Sequence, residues 1–74
     1  MSKDVGMRLA VEAERLGLND TEAARAAKVS RRTWLYAKSG TTSIKSDTLQ
    51  ALDSSGFDIL YIVTGRHQWP RKSR

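Results

Sequence analysis

Cysteine is absent from the 74 residues, so neither a disulfide staple nor a thiolate zinc site is available. His67 is the only histidine, which argues against a histidine-rich metal centre, and no metal, cofactor or small-molecule ligand is expected. Acid–base pairs of closely spaced carboxylates and glycine-rich phosphate loops are also missing, so catalysis is not expected. No apolar run approaches the ~20 residues of a membrane helix. The N-terminal MSKDVG carries no apolar signal core. These absences lead to the expectation of one small cytoplasmic domain, with a core of marginal size.

What is present is positive charge, and it is unevenly placed. The net charge is +5, but residues 1–24 carry −2, residues 25–45 carry +6 with no acid, residues 46–65 carry −3 and residues 66–74 carry +4. A solvated basic face would explain such a block. The block coincides with a helical pattern, however, which points to nucleic acid.

That pattern is Asn19 to Gly40, NDTEAARAAKVSRRTWLYAKSG. It reads as two short helices joined by a tight turn. Asn19 suits an N-cap, since its side-chain oxygen can accept from a first-turn amide. Ala23, Ala24 and Ala26 allow a neighbouring helix to approach closely. Val29 plugs the turn, Ser30 caps the second helix, and Gly40 stops it. Trp34 and Ala37 point inward with Val29, which leaves Arg31, Arg32, Leu35 and Tyr36 for a partner. A short helix with basic and aromatic residues near its start is what a major-groove reader needs.

The stretch resembles the helix-turn-helix of the lambda-repressor and Cro-like transcription regulators. Ala24 falls at that family's small position, Val29 at its apolar turn position, Ser30 at its cap, and Trp34 and Ala37 at its apolar positions. Lys28 departs, because the family usually has glycine there to take a left-handed backbone. A side chain at that point should cost roughly 1 kcal/mol. The resemblance spans residues 5–65. It implies an all-α bundle of five short helices over residues 1–65, containing a helix-turn-helix and followed by a basic tail over 66–74.

Taken in order, Val5, Leu9, Ala13 and Leu16 form one apolar stripe of a helix over 3–16, with Glu12, Glu14 and Arg15 read as lying off it. Gly17 ends this helix and Leu18 tucks back. Residues 20–27 form the support helix, whose N-terminus would face a phosphate, with Thr21 a better backbone contact than Asp20. The recognition helix, 30–38, offers Arg31, Arg32, Leu35 and Tyr36 as base-reading candidates. For Leu35 and Tyr36, packing against the next loop is the competing reading. Lys28, Ser30, Ser39, Thr41, Thr42, Ser43 and Lys45 are backbone-contact candidates, and Ile44 should anchor the loop to the core.

A fourth helix over 46–55 is capped by Ser46 or Ser43, faces inward through Leu49 and Leu52, and ends at Gly56. A fifth over 58–64 is capped by Asp58 and stopped by Gly65. Phe57, Ile59, Leu60, Tyr61, Ile62 and Val63 make it apolar nearly all round. Phe57, Ile59, Leu60, Tyr61 and Val63 are therefore dimerisation candidates, unless Phe57 and the tail cover the face. The tail, RHQWPRKSR, reads as an arm or linker in which Trp69 and His67 have no assigned role.

Together these readings suggest a prophage-type transcriptional repressor that binds a near-palindromic operator in double-stranded DNA as a homodimer, without membrane contact, in a bacterial or phage-infected cell. The length fits a small complete regulator or the DNA-binding part of a longer one. The competing expectation is a protein-interaction module on the same scaffold, such as an antitoxin or phage regulator acting through helix 58–64.

Overall fold

Five helices make up residues 3–66, the part of the chain described by the computed structural model: α1 (Lys3–Arg15), α2 (Asp20–Ala27), α3 (Arg31–Lys38), α4 (Ser46–Ser54) and α5 (Ile59–Thr64). There is no strand among the described residues, and no helix among them is long and apolar enough to cross a membrane. The expectations placed on residues 67–74, Trp69 and His67 included, lie outside the described residues.

Local chemistry sets most boundaries. Asn19 accepts the Glu22 N–H at 2.8 Å, and the Glu22 carboxylate accepts the Asn19 N–H at 2.9 Å. This reciprocal pair satisfies two amides that the first turn of α2 would otherwise leave open. Lys28 ends α2 with φ 59 and ψ 41, the left-handed conformation expected at this position. Ser30 caps α3 by accepting the Thr33 N–H at 3.1 Å. Gly40, at φ 79, turns the chain out of α3 and lets the Thr41 N–H reach the Tyr36 carbonyl at 3.0 Å. Asp58 caps α5 through the Tyr61 N–H at 3.0 Å.

The cap of α4 is a correction. The capping position falls on Lys45, which supplies no side-chain hydrogen bond, so neither Ser43 nor Ser46 serves there. Ile44, half-buried against the core, fixes the chain's entry one residue earlier.

Leu9, Trp34, Leu52, Phe57 and Ile62 fill the centre. Trp34 and Phe57 meet edge to face, with ring centroids 6.3 Å apart and planes at 74°, a geometry that adds about 0.5–1.5 kcal/mol beyond burial. Around them Ala13, Ala23, Ala24, Ala27 and Ala37 keep the helices close. α3 packs on α1 and α2, while α5 closes the bundle against α1 and α4. At Gly6 the contact is tighter still. A Cβ there would run into the Lys38 carbonyl and lie 2.9 Å from the Ala37 oxygen.

Glu12 is the second correction. It is fully buried, not off the stripe. Position 12 is three beyond Leu9 and four before Leu16, so helical spacing puts it on the apolar face whatever its polarity. Its charge is met by Arg15, whose Nη2 donates at 2.8 Å, and by the Asp58 N–H at 2.8 Å. The Arg15 guanidinium also donates to the Gly56 carbonyl at 2.8 Å, and its pKa is raised, chiefly by the hydrogen bond to Glu12. This ties the middle of α1 to the entry of α5.

Candidate nucleic-acid interface

α3 has one side in the core and the other in solvent. Trp34 and Ala37 are buried, whereas Arg31, Arg32, Thr33 and Tyr36 are exposed, Tyr36 by 49%. Arg32 and Tyr36 are one turn apart and therefore share the outward face, with Thr33 on its flank. No acid lies between Arg25 and Lys45. Lys28, Arg25 and Lys45 are also exposed, so the cations of this block reach solvent, with one exception at Lys38.

The exception follows from Asp20. Its Oδ1 accepts from Lys38 Nζ at 2.7 Å and from Trp34 Nε1 at 3.0 Å. One carboxylate oxygen at the start of α2 thus holds two side chains of α3 that are one turn apart. The carboxyl sits below its ordinary pKa, first because of the Lys38 hydrogen bond, then because of Trp34, with the nearby charge of Arg31 adding to the effect. The side chains of Lys38 and Asp20 remain 28% and 33% exposed.

Of the base-reading candidates, Arg31, Arg32 and Tyr36 are outward. Leu35 is half-buried and packs against the core instead of standing fully outward with the other three. The hydroxyls divide more finely. Ser39 Oγ donates to the Tyr36 carbonyl at 2.9 Å and meets Thr41 Oγ1 at 2.7 Å. A hydroxyl has one proton, so Thr41 donates in the second bond and both protons stay within the loop. Ser30 Oγ likewise donates to Thr33 Oγ1 at 3.0 Å, which leaves the Thr33 proton for a partner. Thr33 is the residue that sequence reasoning missed; its signal was its place three after the Ser30 cap, at the exposed start of α3. Thr21 and Ser43 are exposed and Thr42 is half-buried.

A second surface lies on the side of α5. Leu60 and Val63 are 38% and 49% exposed, and with Leu49 and Ile59 they line an open groove of about 500 Å³ edged by Gln50 and Asp53. Ile59 and Tyr61 are half-buried. Phe57 is not part of this face: it is fully buried against Trp34, because the chain turns inward before Asp58 caps α5. Met7 and Val11, one turn apart on α1, form another exposed apolar pair that the sequence pattern did not single out.

No family model, no curated protein and no solved structure matches this chain.

Proposed function

We propose that the protein is a sequence-specific DNA-binding regulator of the repressor type, in which α2, the Lys28–Ser30 turn and α3 act as a helix-turn-helix and α3 enters the major groove. One observation carries this reading. α3 buries Trp34 and Ala37 while presenting Arg31 and Arg32 at its first turn, on a segment with no acidic residue. Guanidinium groups at the start of a rigid, exposed helix suit bidentate hydrogen bonds to guanine edges, and the flanking Lys28 and Lys45 suit phosphates. Leu60 and Val63 supply the apolar face for a two-fold dimer, which would set two α3 helices in successive grooves about 34 Å apart. Repression would follow from occlusion of polymerase.

The test is selection of genomic fragments by the purified protein, then binding isotherms on the best fragment at two salt concentrations. A tight, near-palindromic site is expected, with other DNA bound far more weakly. Sequence-blind binding that disappears with salt would reduce the basic block to plain electrostatics.

A second reading, a protein-interaction module acting through the α4–α5 groove, is favoured by the exposed Leu60 and Val63. Failure to select any DNA site, together with a one-to-one complex blocked by Val63→Glu, would favour it.

A further inference from the structure

Lys38 lies within the basic block, yet its ammonium is bound to Asp20 at 2.7 Å, while the other cations of that block face solvent. The same Asp20 oxygen accepts the indole N–H of Trp34, the side chain that roots α3 in the core. The last turn of α3 is also pressed against Gly6 of α1, where a Cβ would run into the Lys38 carbonyl. The C-terminal half of α3 is therefore held from α1 and from α2, while Arg31 and Arg32 in its first turn are exposed, with the charge of Arg31 felt at Asp20 but no side-chain bond between them.

We propose that Asp20 is a specificity-determining positioning residue: by holding Trp34 Nε1–H and Lys38 Nζ on one oxygen, it sets the pitch of α3 and withholds Lys38 from phosphate. The inference rests on α3 being the DNA-facing helix. Its logic is electrostatic. Each lysine that neutralises a phosphate adds to binding of every sequence alike and contributes about 0.9 to the slope of log K against log salt. A lysine committed to an internal carboxylate adds neither. Asp20 thus lowers sequence-blind affinity while steadying the groups that would read bases. The carboxylate does not touch DNA in this scheme; it acts through Trp34 and Lys38.

The experiment is a cycle of Asp20→Asn, Lys38→Gln and the double variant in the full chain, measured as the salt dependence of binding to a generic duplex. Asparagine keeps an oxygen for Trp34 but loses the charge that holds Lys38. In the Asp20→Asn background the slope should steepen by about 0.9, equivalent to roughly a twofold greater loss of affinity per doubling of salt. Adding Lys38→Gln there should remove the increment. In the wild-type background Lys38→Gln should leave the slope unchanged. Lys38→Met repeats the contrast should the glutamine variant fail to fold, and the Trp34 indole N–H resonance reports whether the tie to residue 20 persists. Equal loss of slope on substituting Lys38 in both backgrounds would overturn the inference alone, since Lys38 would then be a phosphate contact. A wild-type protein that binds no duplex even at low salt would instead overturn the DNA reading, and this inference with it.

Discussion

The backbone N–H of Asp58 donates to the carboxylate of Glu12 across 2.8 Å, joining residues 46 apart where both side chains are fully buried. A buried carboxylate is tolerated only when its lone pairs are filled. Here one partner is Arg15, another is the entry of α5, and the bond therefore fixes where the fifth helix leaves the core.

Truncating Glu12 should consequently cost far more than its place on α1 suggests. Glu12→Ala leaves the Asp58 N–H and the Arg15 guanidinium without this acceptor, a loss of about 3 kcal/mol. Glu14→Ala, at an exposed position on the same helix, should fall within about 0.5 kcal/mol of wild type. Urea denaturation of both variants decides the matter, and similar midpoints would mean that Glu12 is not an organising group.

Lys28 holds φ 59 without being glycine. Lys28→Gly relieves the contact between Cβ and carbonyl that disfavours this conformation, and should raise stability by about 1 kcal/mol. In a domain of this size that corresponds to a rise in Tm of roughly 4–8 °C. A lower Tm would show that the lysine stem contributes packing that outweighs the strain.

Arg32 and Lys45 should separate by kind. Arg32→Ala is expected to cost about 1–3 kcal/mol on the preferred site and to relax base preference at one position. Lys45→Ala should weaken all sequences alike and make the salt slope shallower. Unchanged discrimination in the Arg32 variant would remove that residue from base readout.

Acid should release the Asp20 tie only at low pH. The carboxyl is held below its ordinary 3.8 by Lys38 and then by Trp34, so the folded state binds its proton less readily than the unfolded chain. The stabilisation is therefore complete at neutral pH and disappears as pH falls through and below 3.8. With both side chains about a third exposed, it should amount to about 1 kcal/mol or less. The stability difference between wild type and Asp20→Asn, followed by chemical denaturation from neutral to strongly acidic buffer, should be flat and then collapse. A difference that survives well below 3.8 would rule out ionisation of Asp20 as its source.

The features legible in the sequence are local. Asn19, Ser30, Gly40 and Asp58 announce helix ends because a cap involves residues three or four apart, and Trp34 and Ala37 follow from helical spacing alone. Spacing also placed Arg31 and Arg32 outward. The features that were not legible depend on distant partners. Glu12 looks solvent-seeking until Asp58 arrives from 46 residues away. Asp20 reads as a free acid at the start of α2 until Lys38, 18 residues on, pairs with it. Phe57 reads as part of an exposed face because its turn toward Trp34 has no local signature. Ser39 and Thr41 carry hydroxyls of the right kind, but the turn after α3 spends their protons internally.

Gly6 gives the bundle a mechanical property. α3 has eight residues, a lever about 12 Å long, and its fulcrum is the carbonyl that presses on Gly6. A tilt of roughly 5° at that end displaces the Arg31 end by about 1 Å, enough to spoil a bidentate hydrogen bond. The missing side chain at position 6 is therefore what seats this end of α3. Gly6→Ala, whose Cβ would meet the Lys38 carbonyl, should already force α3 to shift, seen as loss of affinity for a preferred DNA site at a constant salt slope, without altering any side chain on the outer face of α3.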